Sequence, residues 1–158
     1  MGNNISINKE DLNKNYNVLL KLLASEYVLY LNTLSAHWNI TGSSFASIHA
    51  LLEKQYESIK NIIDDTAERI RILGYKVPAS HSKYLHDAEI NNISESLNFI
   101  DTVKSLCKSY EDIINLLRQS IKEIEKTDDF GTEDLLVSTL KEHEKSLWML
   151  DSHLQKSA

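Results

Sequence analysis

Apolar positions recur at helical spacing in four long stretches of this chain, and few breaks separate them. In residues 9–36, Leu12, Leu19, Leu22, Leu23, Val28, Leu31 and Leu34 repeat at the spacing of a helix. A short connection at 39–43 contains Gly42. A second helix is predicted over 44–73, with Phe45, Ile48, Leu52, Tyr56, Ile59, Ile63 and Ile70 as its apolar strip. Gly74 suits the C-cap, and Pro78 blocks continuation because its ring removes a donor and clashes with the preceding turn. Residues 76–92 form a polar link with room for one short helix. Asn92, with Glu95 three residues on, reads as a capping box that opens a third helix lasting to Lys126. After a loop at 127–131, Thr132 is expected to cap a fourth helix ending near Gln155. Four long helices with two short links and one long link make an all-α four-helix bundle. We expect one domain over residues 1–158, with residues 1–8 as a flexible N-terminal tail. The long middle link allows the second and third helices to run parallel, but the hydrophobic pattern alone does not choose that topology.

Composition narrows the function classes. The chain has 158 residues, 42% of them hydrophobic and 25% charged, which suffices for a core without staples. Its one cysteine, Cys107, has no internal disulfide partner, as expected in a reducing cytoplasm. The opening MGNNISINKE lacks the basic and apolar regions of a secretory signal, although Gly2 and Ser6 match a short myristoylation pattern. No run approaches the ~18 apolar residues of a membrane span. The formal net charge of −6 disfavours a general nucleic-acid binder, which needs clustered Lys and Arg, and suits a protein that handles cations.

The second helix carries the candidate chemistry. His49, Glu53, Asp64 and Glu68 lie at about 0°, 40°, 60° and 100° around the axis, a strip next to the apolar one. Spacing of this kind is also what a solvated acidic helix edge produces. Helical spacing alone does not separate the two readings, but distance limits what a metal site could be. His49 and Asp64 are ~22 Å apart along a helix, while metal–ligand bonds are ~2 Å, so one helix cannot gather all four around one metal. Two copies, antiparallel about a two-fold axis, can bring His49 and Glu53 of one chain to Asp64 and Glu68 of another, twice per dimer. His37, at the end of the first helix, adds a second imidazole. Mixed imidazole and carboxylate ligands suit Fe(II), and also Zn, Mn or Co.

The run His37-Trp38-Asn39-Ile40-Thr41-Gly42, then Phe45, His49 and Glu53, then Asp64-Asp65-Thr66-Ala67-Glu68-Arg69-Ile70-Arg71-Ile72-Leu73-Gly74, closely resembles the signature of the Dps family of mini-ferritins. The resemblance extends over residues 13–154 and includes Ser146-Leu147-Trp148-Met149-Leu150. It implies a ferritin-like bundle with a short helix in the middle link. It also implies a hollow homo-oligomeric cage, a dodecamer, that oxidises Fe(II), stores ferric mineral and protects against oxidative stress. Hydrogen peroxide is the oxidant this resemblance favours over oxygen, and other divalent metals substitute for iron. By the same resemblance, His37 and His49 of one subunit, with Glu53, face Asp64 and Glu68 of the next in a shared ferroxidase centre. The family usually has Asp where this chain has Glu53, which puts the second metal position in doubt. Trp38 resembles a family tryptophan that intercepts oxidising equivalents, and it is equally readable as a large interface aromatic. Glu125, Asp134 and Glu144 resemble the acidic lining of iron-entry pores. Phe130 stands where some relatives have another acid.

Other features stay bland. His81 and His86 read as surface histidines of the link, and His143 and His153 as surface histidines of the last helix with no identifiable partner. Cys107 reads as a small buried residue, and Arg69 and Arg71 as interface salt-bridge donors. DNA binding, for which the family is named, is doubtful here. The leading segment 1–8 has no Lys or Arg, and the far end, 155–158, has one Lys.

Overall fold

The computed structural model describes residues 5–154, and these contain helices and no strand. The helices are α1 (Lys9–Asn39), α2 (Phe45–Ile72), the short α3 (His81–Asp87), α4 (Phe99–Ile124) and α5 (Phe130–Asp151), with a 3-10 turn at Glu125–Thr127. The α1–α2 and α4–α5 links are short, and the helices in each pair pack together, so each pair is an antiparallel hairpin. The hairpins close a bundle through α1 against α4 and α2 against α5, and α3 lies against α1. Leu19, Leu22, Leu52, Ile59, Leu106, Ile113, Leu117 and Leu136 fill the centre.

Local chemistry sets the boundaries. Asn8 caps α1 by accepting from the Asp11 amide, and Ile5 packs against the core. Residues 1–4 and 155–158 lie outside the described residues, so Gly2 and the far end of the chain do too. At the end of α2, Gly74 takes φ +93°, its amide bonds the Arg71 carbonyl and the Tyr75 amide bonds the Ile70 carbonyl. That pair of bonds satisfies carbonyls the helix would otherwise leave open, and glycine adopts the left-handed turn without a Cβ penalty.

The start of α4 differs from the capping box expected at Asn92 and Glu95. The Asn32 amide nitrogen bonds the Asn91 carbonyl at 2.9 Å, and the Ile93 amide donates to Asn32 Oδ1 at 3.1 Å. Ser25 Oγ accepts from the Glu89 amide at 3.0 Å. α1 thus holds the end of the long link in a non-helical path, and the helix begins only where Asn98 accepts from the Asp101 amide. A second correction falls at α5. Thr132 is not its cap: Asp129 is, accepting from the Thr132 amide at 3.0 Å and the Thr132 hydroxyl at 2.7 Å. The backbone leaves the preceding turn through Asp128 at φ +52°, which sets Asp129 before the first helical residue.

Asp129 also ties the ends of three elements together. Its carboxylate meets the Arg69 guanidinium at 2.5 Å and the Asn15 side-chain amide at 2.9 Å, and it is buried. Burial pushes its carboxyl up, but the Thr132 hydrogen bonds, the Arg69 charge and the Asn15 bond outweigh that and hold it below the ordinary range. The Arg69 ion pair is therefore within the chain, and Arg71 bonds the Tyr75 carbonyl of its own chain.

His143 is the clearest departure from expectation. It is buried, 1% exposed, and its Nε2 lies 2.7 Å from Glu26 Oε1, itself fully buried on α1. The Tyr110 ring of α4 packs beside it, centroids 5.5 Å apart. α5 turns this position inward, where an imidazole can persist only with a polar partner. Sequence spacing could not supply that partner, because it lies 117 positions away. Cys107 is buried, as expected, and desolvation followed by the Asp151 and Glu111 charges pushes its thiol up to about 11.

Candidate metal centre

The α1–α2 hairpin brings His37, in the last turn of α1, against His49, in the first turns of α2. Their rings stack with centroids 3.8 Å apart and 21° between planes. His37 Nδ1 is 3.0 Å from the His49 carbonyl oxygen, and His49 Nδ1 is 3.0 Å from the His37 carbonyl oxygen. A carbonyl only accepts, so each Nδ1 carries the hydrogen and donates. The reciprocal bonds fix both rings, and in a neutral imidazole so bonded Nε2 is the lone-pair donor. Metal-binding imidazoles are commonly oriented by such a bond from the opposite nitrogen to a carbonyl.

Phe45 covers one side of His49, centroids 4.9 Å apart, and Tyr56 stands edge-on to His37 at 5.2 Å. Burial, then the Glu53 and Glu57 carboxylates, hold the Tyr56 phenol above the ordinary tyrosine range. The expected apolar strip of α2 holds for Ile48, Leu52, Ile59 and Ile70, which are buried, whereas Phe45 is 44% exposed.

Glu53, one turn beyond His49, is exposed, as are Asp64 and Glu68 farther along α2. The structure brings His37 and His49 together and leaves the three carboxylates on open helix surface. Among the described residues, no three His, Cys, Asp or Glu side chains converge as a metal site within one subunit. Trp38, beside His37, is 69% exposed. Of the acids compared with a pore lining, Glu125 and Asp134 are exposed, and Glu144 is paired with Arg118. Phe130 is 71% exposed. His81 and His86 are exposed on α3, with His86 bonded to Asp87.

Comparison with known proteins agrees with this architecture. The ferritin-like domain family matches residues 16–158. A Bacillus anthracis protein named DNA protection during starvation protein 2 is 31% identical over 88% of this chain and 95% of its own. A Porphyromonas gingivalis DNA protection during starvation protein is 34% identical over 85% of both chains. The crystal structure of the Vibrio cholerae Dps protein superposes with a TM-score of 0.91 at 32% identity, covering 98% of this chain and 97% of that one. The chain belongs to the Dps family of ferritin-like proteins. The Vibrio relative is described as one of a broad superfamily of ferritin-like diiron-carboxylate proteins. Within the Dps fold, the stacked His37–His49 pair occupies the α1–α2 corner, and α2 presents its carboxylates outward from the same bundle.

Tyr56 falls on the apolar strip that the sequence pattern predicts for α2, and no motif marks Tyr27, Tyr30 or the Glu26–His143 pair. The tyrosines sit at helical spacing and carry no motif. Their mutual contacts depend on the crossing of α1, α2 and α3.

Proposed function

We propose that this Dps-family protein is a ferroxidase and iron-storage mini-ferritin that binds Fe(II) as substrate at sites shared between two subunits. The observation that carries the reading is the reciprocal bonding of His37 and His49, which fixes both rings through Nδ1 and keeps both Nε2 atoms free of that bonding at one corner of the subunit. Neutral imidazoles bind iron without first losing a proton. Asp64 and Glu68 of a two-fold partner complete the ligand set, and Glu53 supplies a carboxylate to a second, looser iron position. Support for the shared site is the distance along α2, ~22 Å from His49 to Asp64, together with the exposure of both acids on a single subunit.

With few protein ligands, Fe(II) keeps open positions where an oxidant can reach it. Hydrogen peroxide is the preferred oxidant and oxygen the slower one. The ferric product is stored as mineral inside a closed dodecamer, which withholds Fe(II) from radical-forming chemistry and so protects against oxidative stress. Exposed Trp38, Phe45, Ile72, Phe130 and Trp148 give each subunit apolar surface to bury against its neighbours. Glu125, Asp134 and Glu144 line the entry pores, where a focused negative field draws in cations. The Arg118 pairing of Glu144 weakens that field in the isolated subunit.

Complementation tests the shared site. His37→Ala with His49→Ala abolishes fast Fe(II) oxidation while assembly persists, because the apolar strip of α2 is separate from the ligands. Asp64→Ala with Glu68→Ala does the same. Mixed oligomers of the two inactive forms, verified by mass spectrometry, regain activity, since each mixed dimer holds one complete ligand set. Mixtures that stay inactive would refute the arrangement.

A further inference from the structure

The outer side of α2 carries two rows of side chains that mirror each other. Phe45, His49, Glu53 and Glu57 follow one another at four-residue steps, and so do Lys60, Asp64, Glu68 and Ile72. Side chains four apart stand one above the other and build an oblique ridge, which winds about 40° around the helix at each step. Read forward, the first ridge runs apolar, ligand, ligand, acid. Read backward, the second runs apolar, ligand, ligand, base. On a lone subunit this pattern is unfavourable. Glu53 with Glu57, and Asp64 with Glu68, are like charges four apart, which destabilise an isolated helix. Phe45 and Ile72 are 44% and 43% exposed. Glu57 and Lys60 lie 3.7 Å apart in one chain with more than half of each side chain exposed, a pairing that solvent screens.

We infer that a second copy of this chain docks its α2 antiparallel on this face, in a register locked by Glu57 and Lys60 pairing reciprocally across a two-fold axis between Ser58 and Ile59. This rests on the shared-site reading above and names the residues that position the site. Ridges of this kind come into line when two helices cross at about −50°. The two-fold then sets Glu57 level with the partner's Lys60, and Glu53 level with the partner's Asp64. It sets His49 level with the partner's Glu68, and Phe45 level with the partner's Ile72. Both acid–base pairs stand together at the axis, so each carboxylate meets a second ammonium group. The iron sites lie outside them, one toward each end of the paired helices.

Neighbouring registers lack this match. A slide of one turn in one direction sets Glu57 against the partner's Asp64 and Glu53 against the partner's Glu68, acid on acid. Like charges face to face exclude a docking more effectively than weak attractions select one. A slide of one turn in the other direction sets the Phe45 ring against the partner's Glu68 carboxylate and leaves Glu57 without a base opposite. Glu57 and Lys60 thus act on iron through His49, Glu53, Asp64 and Glu68, by holding these groups level. They are positioning residues and touch no metal themselves.

The register is tested without iron. Chains carrying Phe45→Cys and chains carrying Ile72→Cys are coexpressed, purified as assembled protein and oxidised with diamide. The mixture is expected to give a covalent dimer on a non-reducing gel. Each variant alone is expected to give none, because its own cysteines then lie ~40 Å apart along the paired helices. Ala46→Cys with Arg71→Cys, which the same register sets level, repeats the test beside the ridges. Cross-linking within one variant alone, or in neither mixture, overturns the register. The charge lock is read on the same cross-link. Glu57→Lys in both chains is expected to lower its yield about threefold, the size of effect that exposed charge pairs give. Glu57→Lys with Lys60→Glu in every chain restores the yield. Glu57→Lys in one chain and Lys60→Glu in the other raises it above that of the original charges, since unlike chains then attract and like chains repel. Each of those chains still carries like charges three residues apart, so an effect inside one helix could not produce the rise. A yield indifferent to these charges overturns the lock. Fe(II) oxidation is expected to slow with Glu57→Lys and to recover with the swapped pair. Protein that passes both cross-linking tests yet leaves Fe(II) unoxidised overturns the ferroxidase reading and upholds the docking.

Discussion

At the scale of single residues, hydrogen-bond direction decides what a side chain can do. His37 and His49 are candidate ligands because each Nδ1 is committed to the other's carbonyl, not merely because histidines are present. Asp129 makes the same point for stability. Its carboxylate is held ionised by Thr132, Arg69 and Asn15 against the cost of burial. A carboxyl held below its unfolded value contributes stability that is present above that value, ~3.9 for aspartate. The contribution is lost as pH falls through the lower folded value. Urea unfolding is therefore expected to show a midpoint that declines below about pH 4. In Asp129→Asn that part of the acid decline is missing. At neutral pH Asp129→Ala removes both a helix cap and the partner of a largely buried guanidinium, and is expected to cost about 3 kcal/mol. An unfolding curve within experimental error of wild type would contradict this.

Between elements, close approach matters more than propensity. Gly131 lies inside the first turn of α5, where alanine would ordinarily gain about 1 kcal/mol of helix stability. A Cβ there would sit 2.9 Å from both terminal nitrogens of Arg69, one of which, Nη2, is engaged with Asp129. Gly131→Ala is therefore expected to destabilise the protein by displacing the guanidinium that ties α2 to α5. In an Arg69→Ala background the same substitution should become neutral or stabilising. The coupling is read from a double-mutant cycle in urea, and additive effects would show that Arg69 yields without loss. The long link illustrates the same scale. Asn32 and Ser25 of α1 hold residues 89–93 out of helical conformation, and so move the start of α4 from the expected Asn92 to Asn98.

For the whole molecule, charge and exposed apolar surface set the partners. Sedimentation is expected to give a closed oligomer with the mass of a dodecamer, and a stable monomer that keeps full ferroxidase activity would exclude shared sites. DNA is expected to bind weakly or not at all at ~150 mM salt, because net charge −6 offers little phosphate neutralisation. A gel shift showing tight retardation at that salt would reverse the expectation.

Helix number, the two short hairpin links, the family and the run of His, Asp and Glu along α2 were legible from the sequence by itself. Each is written in local spacing: apolar period, glycine and proline breaks, and the order of His, Asp and Glu along one helix. Only the tertiary structure decided what depends on elements far apart in the chain. It turned His143 inward to Glu26, made Asp129 the cap in place of Thr132 and the partner of Arg69, and kept the link non-helical past Asn92. It also stacked His37 on His49 and aligned Tyr56, Tyr30 and Tyr27 behind them. Helical periodicity tells which face of a helix is buried. It does not tell which residue of another helix arrives there, because crossing angle and axial offset are set by packing of the whole bundle.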